Sequence, residues 1–493
     1  MVIALLLLAL QAPKATEADF YAITTIEPPK EIVLEVGGFA LLPDKKTLVC
    51  TRRGQIWLLD DAYTSDGKNA GFHLWFDGLQ EPLGLLAVNG ADGEWVYVVQ
   101  RGELSRLRDV DHDGRADELE TIADPWRISG NYHEYAFGPV WGPDKRLWLT
   151  LNRPFGEEPF GHAQWRGYAL AIDPKTGAWQ PMCAGLRSPC GITAAPWGDV
   201  FYTDNQGEWC GTSKLALLAP GSFHGHPWGI ESTKLPEWKF GEVPMPPNKT
   251  LMPLVKASVP SFELPAVWFP YDEMGRSPAG FVWDTAGAFG PLFKGHVFVG
   301  DQFDASLIRV TLEQIDGHWQ GACYPFRMGL ASGVTRVAWG AEGSLLVGMT
   351  NRGWGSRGED TQGLQRVKWS GKTPFELREM RAASGGFELE FTAPIDAKSA
   401  ADPASYRMSS YTYELHEEYG SAKMDVQTPK FTPTVVDATH VHLAVEGLRA
   451  GYVHELHYEG LRSAAGAPPL HDRAYYTLNA LAGAGGTTGA HGR

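Results

Sequence analysis

The sequence predicts an all-β fold: a six-bladed β-propeller followed by a small immunoglobulin-like or fibronectin-type-III-like β-sandwich. The chain has 493 residues, with 57 glycines, 34 prolines and 18 tryptophans, a composition typical of proteins with many tight turns and large packing residues. A strand and turn pattern recurs six times, and a different β pattern follows it. Because 43% of the residues are hydrophobic and 20% charged, disorder and coiled coil are excluded.

Each copy of the repeat opens on a small residue, then runs through an apolar strand, a Gly/Asp turn and two further strands. Apolar and polar residues alternate inside the copies, which indicates strands rather than helices. Six copies spaced by roughly 50 residues are typical of propeller blades. A tandem of β-sandwiches is the alternative, but it explains the fixed order less well. The first strands begin near Gly38, Gly84, Ala136, Gly191, Ala279 and Gly333.

The predicted propeller covers residues 30–370, with an insertion at 220–275 between the fourth and fifth copies. Long inserted loops commonly cover the mouth of a propeller channel, where ligands bind. Strand-like runs separated by turn signals then predict the β-sandwich at 375–480. The glycine-rich residues 481–493 predict a flexible tail.

The first 18 residues resemble a secretory signal, because an apolar run at 1–10 precedes small residues suited to cleavage near Asp19. A buried N-terminal strand or helix is the alternative. The run is too short to cross a bilayer, and no later apolar stretch is long enough, so no transmembrane segment is predicted. We therefore expect a periplasmic or secreted protein. The net charge of −15 argues against nucleic-acid and anionic-membrane partners.

Several common chemistries lack their sequence signatures. The five cysteines form no CxxC or CxxCH motif, which excludes a zinc ribbon and covalently attached c-type haem. Two of Cys183, Cys190 and Cys210 could be bridged, or all five could be buried thiols. No GxSxG, HExxH, Walker or Rossmann motif supports serine hydrolase, nucleotide or nicotinamide chemistry.

An acidic segment at 109–120 has the spacing of a calcium-binding loop. Carboxylates stand at positions 1, 3, 5, 9 and 12, with a glycine at the sharp turn of position 6. A solvated acidic hairpin is the alternative. We expect calcium to rigidify this loop rather than to serve catalysis. The candidate ligands are Asp109, Asp111, Asp113, Asp117 and Glu120, together with the backbone carbonyl of Arg115.

Three residues of the repeats are candidates for chemistry at the channel mouth. His133 precedes the first strand of the third repeat and could act at the channel mouth as a general base, although a lone histidine is more often structural. Arg187 and Arg336 occupy the same place in their repeats and could bind a polyanionic ligand through their guanidinium groups. Ion pairs between blades are the alternative for these arginines.

Aromatic and histidine side chains on predicted loops are candidates for substrate contact. Aromatic faces stack on sugar rings and planar cofactors, although buried packing is their commoner role. The candidates are Tyr132, Trp209, His224 and Trp228.

The order of five short segments resembles the glucose/sorbosone dehydrogenase superfamily. These segments lie at 185–192, 200–205, 221–227, 277–280 and 343–347. Members of that superfamily are six-bladed propellers that use pyrroloquinoline quinone (PQQ) and calcium. The chain is most similar to secreted propellers of environmental bacteria that are called membrane-bound dehydrogenases and are often fused to cytochrome c. The resemblance covers roughly residues 30–370, and the sandwich also resembles a module of that group.

The resemblance implies a PQQ-type dehydrogenase that oxidises a sugar or related alcohol. His133 would take the substrate hydroxyl proton, Arg187 and Arg336 would hold the cofactor carboxylates, and loop oxygens near Asp204 would be candidates for the cofactor calcium. An external acceptor such as a c-type cytochrome would take the electrons. The chain differs from these dehydrogenases at Glu134 and Tyr135, which follow His133 in place of an Asn-Gly pair.

Two other functions remain open on the sequence. One is a non-catalytic propeller that binds carbohydrate or protein. The other is a calcium-dependent, lactonase-like hydrolase, because propellers with calcium in the channel also perform that chemistry.

Overall fold

The computed structural model describes residues 15–64, 66–90 and 93–483. Most of the signal-like segment 1–18, and the predicted tail from residue 484 onward, lie outside these ranges. The all-β class is confirmed, since the described residues contain 34 strands and one short α-helix, α1 (Ala397–Ala401). No helix in the described ranges is long and apolar enough to span a bilayer.

Five four-stranded antiparallel sheets and four consecutive strands of an eight-stranded sheet account for the six sequence repeats. Strand β1 (Tyr21–Thr25) precedes them and joins the last sheet. The first two sheets contain β2 (Val36–Leu41), β3 (Thr47–Thr51), β4 (Ile56–Asp60) and β5 (Gly71–Phe76), then β6 (Leu85–Gly90), β7 (Gly93–Val99), β8 (Leu104–Arg108) and β9 (Glu118–Ala123). The third contains β10 (Ala136–Trp141), β11 (Leu147–Leu151), β12 (Tyr168–Ile172) and β13 (Trp179–Ala184).

The remaining three sheets follow the same plan, with one insertion. The fourth contains β14 (Gly191–Ala194), β15 (Val200–Asp204), β16 (Ser213–Leu217) and β18 (Val267–Phe269), and β17 (Thr250–Leu251) lies in the insertion before β18. The fifth contains β19 (Pro278–Trp283), β20 (Val297–Asp301), β21 (Ser306–Ile315) and β22 (His318–Arg327). The sixth contains β23 (Val334–Trp339), β24 (Ser344–Thr350), β25 (Gln362–Trp369) and β1.

The sheets are the blades of a six-bladed propeller. Their first strands contact one another in the order β2, β6, β10, β14, β19 and β23, and β23 contacts β2 again. Strand β1 closes the ring, because it pairs antiparallel with β25 from Tyr21↔Trp369 to Thr25↔Gln365. This closing strand lies before residue 30, where the predicted propeller range begins.

The glycines that open the repeats stand where neighbouring first strands nearly touch. A Cβ atom on Gly84 would lie 1.7 Å from the carbonyl oxygen of Gly138, and one on Gly38 would lie 2.6 Å from the Cα atom of Gly84. Real Cβ atoms do not make such contacts, so only glycine permits this approach. The repeat glycines therefore set the width of the central channel.

The C-terminal unit consists of two four-stranded sheets packed face to face. Their orders are β26–β27–β32–β31 and β34–β33–β28–β30. One hydrophobic cluster, which includes Phe387, Leu443, Leu456 and Tyr476, fills the space between them. The strands are β26 (Leu377–Ala383), β27 (Gly386–Phe391), β28 (Arg407–Thr412), β29 (Glu414–Leu415), β30 (Met424–Gln427), β31 (Phe431–Val435), β32 (His440–Val445), β33 (Tyr452–His457) and β34 (Arg473–Leu478).

The propeller and the C-terminal unit share a continuous sheet. Strand β34 pairs antiparallel with β22, so that Cys323 lies opposite Tyr475 and the fifth blade is extended to eight strands. Arg309 of β21 also links the two units. Its guanidinium donates to the carbonyl oxygens of Arg378 at 2.6 Å and Leu377 at 2.7 Å, and the side chain is 1% exposed.

None of the five cysteines forms a disulfide. Cys50, Cys183, Cys210 and Cys323 are buried, and Cys190 is partly exposed. Burial raises the pKa of the Cys183 and Cys210 thiols to about 12, which keeps them protonated at neutral pH. The structure thus follows the buried-thiol interpretation rather than the bridged one.

We expect Arg309→Met to lower the free energy of unfolding by about 3 kcal/mol, because two buried carbonyl groups would lose their donors. Urea unfolding followed by tryptophan fluorescence measures this change. Arg407→Met is the matched control, since Arg407 forms an exposed ion pair with Glu459 that is worth less than about 1 kcal/mol. Equal midpoints for the two variants would contradict the assigned role of Arg309.

Candidate functional site

A cavity of about 300 Å³ opens at one face of the propeller, at the mouth of the central channel. Since neighbouring strands are antiparallel, the loops before the first strands and after the second strands of the blades all lie at this face. Loops from several blades therefore contribute side chains to a single space. Its walls include Arg52, His133, Arg187, Arg276, Arg336 and Tyr419.

The loop before β10 presents His133 to the cavity. Asn131 fixes this loop: its Nδ2 donates to the carbonyl oxygens of Phe155 at 2.9 Å and Glu157 at 2.8 Å, and its Oδ1 accepts from the backbone N–H of His133 at 2.9 Å. The imidazole lies 4.7 Å from the Phe155 ring, centroid to centroid. No protein group in the described ranges hydrogen bonds to its ring nitrogens, so they remain available to a ligand.

The surroundings keep His133 neutral. Burial lowers the pKa of the imidazole below its ordinary value of 6.5, and the positive charges of Arg187, Arg153, Arg101 and Arg52 lower it further. At pH 7 the ring therefore carries an unprotonated nitrogen. A neutral imidazole at a cavity wall can accept a proton from a bound hydroxyl group.

The two residues after His133 lie in different places. The Glu134 carboxylate turns inward, where it accepts from the backbone N–H of Ser129 at 2.8 Å and from its hydroxyl at 2.7 Å. Tyr135 lines the cavity, with the Arg52 guanidinium 5.0 Å from its ring centroid. Only the tyrosine therefore reduces the space available to a ligand.

Arginines outnumber carboxylates around the cavity. Three carboxylates are each shared by two arginines, so each group retains an excess of one positive charge. The face is cationic although the whole chain carries a net charge of −15, and it is suited to an anionic ligand. The groups are Glu208 with Arg153 and Arg187, Glu81 with Arg52 and Arg101, and Glu35 with Arg53 and Arg352.

Glu208 orients the Arg187 side chain. Its Oε2 accepts from Arg187 Nε at 3.0 Å and Nη2 at 2.8 Å, and from Arg153 Nη2 at 2.8 Å. Although burial raises the pKa of Glu208, the two guanidinium groups outweigh it and the pKa is lowered. Burial and the charge of Arg187 lower the pKa of Arg153 to about 10, so Arg153 remains charged at pH 7.

Arg336 lies at the floor of the cavity and is held by backbone carbonyl groups. Its guanidinium donates to Gly37 at 2.8 Å, Cys190 at 3.1 Å and Leu83 at 3.2 Å, which belong to the first, fourth and second blades. None of its partners in the described part of the chain is a carboxylate. Its charge therefore remains available to attract an anion, and the predicted alternative of an ion pair between blades does not apply to it.

Asp204 is fully buried beside the cavity and does not line it. Its carboxylate accepts from the backbone N–H groups of Arg187 at 3.0 Å, Ser188 at 2.6 Å and Asn205 at 3.0 Å. These bonds occupy both oxygens, so Asp204 positions the Arg187 loop.

Two side-chain oxygens that follow Asp204 do line the cavity. Oδ1 of Asn205 and Oε1 of Gln206 are buried and have no hydrogen-bond partner among the described residues. Uncharged oxygens of this kind can accept from a ligand hydroxyl or coordinate a hard cation. No sequence motif marks these two residues individually.

The four residues proposed from the sequence for substrate contact are dispersed. Tyr132 lies at the mouth, with its ring 5.2 Å from the His133 ring. Trp209 and His224 are buried and Trp228 packs on His162, and none of these three lines the cavity.

The insertion does not cover the mouth. Its Phe223 pairs in parallel with Ala184 of β13 and with Phe262, so the segment lies along the third blade. No residue of 220–275 lines the cavity, whereas Tyr419 of the C-terminal unit does. Sequence periodicity could not identify Tyr419, because it stands outside the repeats.

The acidic loop lies at the opposite face of the propeller, because it joins β8 to β9. Carboxylate oxygens of Asp109, Asp111 and Asp117 lie within 4.8 Å of one another. Asp113 instead accepts from the backbone N–H of Arg115 at 2.8 Å. Glu120 forms an ion pair with Arg106 at 2.7 Å, away from this group.

Together these features define a six-bladed propeller with a cationic, partly aromatic ligand cavity at the channel mouth. A family model described as a domain of unknown function, DUF7133, matches residues 32–226. No curated protein matches the chain.

Solved structures share the fold. An oxidoreductase from Thermus thermophilus, described as a glucose dehydrogenase, is 19% identical with a TM-score of 0.50, over 70% of this chain and 99% of its own. The PQQ-bound aldose sugar dehydrogenase of Streptomyces coelicolor is 15% identical with a TM-score of 0.49, over 71% and 98%. The PQQ domain of pyranose dehydrogenase from Coprinopsis cinerea is 11% identical with a TM-score of 0.48, over 73% and 98%.

The likeness to sugar dehydrogenase propellers that the sequence indicated is therefore confirmed at the level of the fold. The Thermus structure supports this conclusion. Because the two sequences are only 19% identical, the comparison shows a shared fold and no shared activity.

We expect the His133 imidazole to titrate below pH 6.5 in NMR spectra of histidine-labelled protein. Arg153→Gln should raise this pKa, because it removes one of the cations that disfavour the protonated ring. Arg146→Gln is the control, since Arg146 pairs with Asp144 away from the cavity and should leave the titration unchanged. A His133 pKa at or above 6.5 in the unaltered protein would contradict the described electrostatics.

Proposed function

We propose that the protein is a PQQ-type dehydrogenase that oxidises a sugar or related alcohol. One observation carries this proposal: His133, neutral and with free ring nitrogens, faces a cavity whose walls also contain Arg187 and Arg336. The fold shared with a glucose dehydrogenase of Thermus is consistent with it.

The residues of the cavity fit PQQ, which is a flat aromatic molecule with three carboxylates. Arg187 and Arg336 come from different blades and would bind carboxylates, while Phe155 and Tyr135 offer aromatic faces. The cavity volume of about 300 Å³ suits one molecule of this size. When bound, PQQ would supply a quinone that accepts a hydride.

His133 would accept the proton of the substrate hydroxyl. The positive charges of the neighbouring arginines disfavour the protonated imidazole, so the ring should pass the proton readily to solvent. The half-buried ring and the open mouth allow that transfer. The side-chain oxygens of Asn205 and Gln206 would orient the hydroxyl groups or hold a calcium ion beside the cofactor.

Three further assignments belong to this proposal. We infer that the protein acts in the periplasm or outside the cell and passes electrons to an external acceptor such as a c-type cytochrome. We infer an immunoglobulin-like or fibronectin-type-III-like C-terminal unit from the order of its strands. When β26, β27, β28, β30, β31, β32, β33 and β34 are lettered A, B, C, C′, D, E, F and G, the two sheets have the orders A-B-E-D and G-F-C-C′. We also infer that Asp109, Asp111 and Asp117 bind a calcium ion.

The test is a titration of the purified protein with PQQ in calcium buffer, followed by reduction of an artificial dye with a panel of sugars. We expect saturable binding and sugar-dependent reduction, with full rate at pH 7 and loss of rate only as the pH falls through the His133 pKa, below 6.5. This sign follows because the neutral imidazole is the active form. His133→Ala should lower kcat at least about 100-fold, the usual contribution of a general base.

His318→Ala is the matched control, because His318 is exposed on the outer strand β22. Retained turnover in His133→Ala would refute the assignment of the base. If the protein binds sugar but neither binds PQQ nor reduces the dye, the result would instead favour the non-catalytic propeller. Hydrolysis of lactones that chelator abolishes would favour the hydrolase.

We expect millimolar calcium to raise the Tm by a few degrees, because an ion that binds only the folded loop stabilises the folded state. Asp111→Asn should abolish this shift, while Asp316→Asn, in the exposed turn between β21 and β22, should retain it. Differential scanning fluorimetry with calcium and with chelator measures both. A shift of equal size in the two variants would place the calcium elsewhere.

A further inference from the structure

Three exposed aromatic side chains surround the mouth of the cavity, and we call them the aromatic rim. Tyr132 (44% exposed) precedes β10, Trp354 (43%) follows β24, and Tyr419 (51%) belongs to the C-terminal unit. Trp354 and Tyr419 line the cavity directly. Tyr132 is adjacent to the Trp354 loop, because a Cβ atom on Gly353 would lie 3.4 Å from its hydroxyl oxygen.

The segment that carries Tyr419 is fixed by main-chain hydrogen bonds. It joins β29 to β30 and lies on the loop after β15, while β29 pairs with β17 of the insertion. An exposed ring on such an anchored backbone is already in position for a ligand, so little ordering entropy is lost on binding. The bonds to the loop after β15 run from Trp209 N–H to His416 at 2.8 Å, from Gly420 N–H to Gly207 at 3.1 Å and from Ser421 N–H to Gly211 at 2.7 Å.

A continuous series of flat side chains links Tyr419 to Tyr132. The Arg187 guanidinium lies between the rings of Tyr419 and Phe155, and the His133 imidazole lies between Phe155 and Tyr132. The proposed base thus stands within a row of flat side chains that runs from Tyr419 to Tyr132. The separations are 5.4 Å from Arg187 to Tyr419, 4.6 Å from Arg187 to Phe155, 4.7 Å from Phe155 to His133 and 5.2 Å from His133 to Tyr132.

The cavity itself is too small for a cofactor and an extended substrate together. A volume of about 300 Å³ is at the low end for one bound molecule. Any substrate longer than one unit must therefore lie outward, across the aromatic rim. The apolar faces of pyranose rings stack on aromatic side chains, and the flanking arginines offer hydrogen bonds to hydroxyl groups.

We propose that the aromatic rim binds successive units of an oligosaccharide whose terminal unit reaches His133, and that Tyr419 of the C-terminal unit is a specificity-determining residue. The inference rests on the proposed function only for the oxidation of that terminal unit. Binding of the oligosaccharide itself needs neither cofactor nor turnover.

The test is isothermal titration calorimetry of the cofactor-free full chain with glucose, mannose, galactose, xylose and uronate oligomers of one to six units. We expect Kd to fall with chain length in at least one series. Tyr419→Ala should weaken binding of the longer oligomers by roughly 3- to 10-fold, the usual contribution of an aromatic contact. Tyr419→Phe should bind like the unaltered protein, because it keeps the ring.

Trp141→Ala is the matched control, because Trp141 is an exposed aromatic residue at the far end of β10 and should leave every Kd unchanged. Trp354→Ala tests a second residue of the aromatic rim and should also weaken the binding of the longer oligomers. Chain-length independence in all series, or unchanged Kd values in both Tyr419→Ala and Trp354→Ala, would overturn the proposal. Oligosaccharide binding without PQQ binding would support the proposed role of the aromatic rim and refute the proposed dehydrogenase function.

Discussion

The close approach of the six first strands is the constraint on which the rest of the structure depends. Their backbones nearly touch at Gly38, Gly84 and Gly138, so the channel is narrow where it continues from the cavity floor into a second space of about 130 Å³. Arg336 lies at this floor and donates to carbonyl groups of three other blades. The same convergence therefore narrows the cavity from below and holds there a half-buried cation, none of whose described partners is a carboxylate.

The charge of that floor determines what the cavity can do. Glu208, Glu81 and Glu35 are each shared by two arginines, so the site is cationic although the chain is strongly acidic overall. The excess of positive charge attracts an anion, and it also lowers the pKa of His133. The cations that favour an anionic ligand thus add to the effect of burial in keeping the His133 imidazole neutral.

Much of the architecture could be predicted because it repeats. A small residue near the start of each first strand indicated the blades, and the positions of His133 and Arg187 just before first strands placed them at one face. Arg336 instead lies within β23, so the predicted equivalence of Arg187 and Arg336 is wrong. The closing strand β1 lacks the repeat pattern, and its partner β25 lies some 340 residues away, so local periodicity carries no sign of it. The alternation of apolar and polar residues was enough to predict the C-terminal strands. The pairing of β34 with β22, which joins these strands to the fifth blade, is a tertiary contact that the sequence pattern does not contain.

Individual side chains were harder to predict than their loops. Asp204 stands in the right loop, but three backbone N–H groups occupy its carboxylate, and the adjacent Asn205 and Gln206 present the free oxygens instead. Trp209 packs in the largest hydrophobic cluster, and His224 is buried with its Nε2 2.8 Å from the Ser222 hydroxyl. Residue type alone cannot distinguish an aromatic side chain that faces a ligand from one that packs in the core.

The strand pairing has a consequence for the order of assembly during synthesis. The sixth blade needs β1 from the start of the chain and β25 from near residue 369, and the cavity wall needs Tyr419 on a segment that ends at β30. A nascent chain shorter than this has several finished blades but no complete binding site. The wall of the cavity is therefore completed in a late step, once the residues up to Gln427 have left the ribosome.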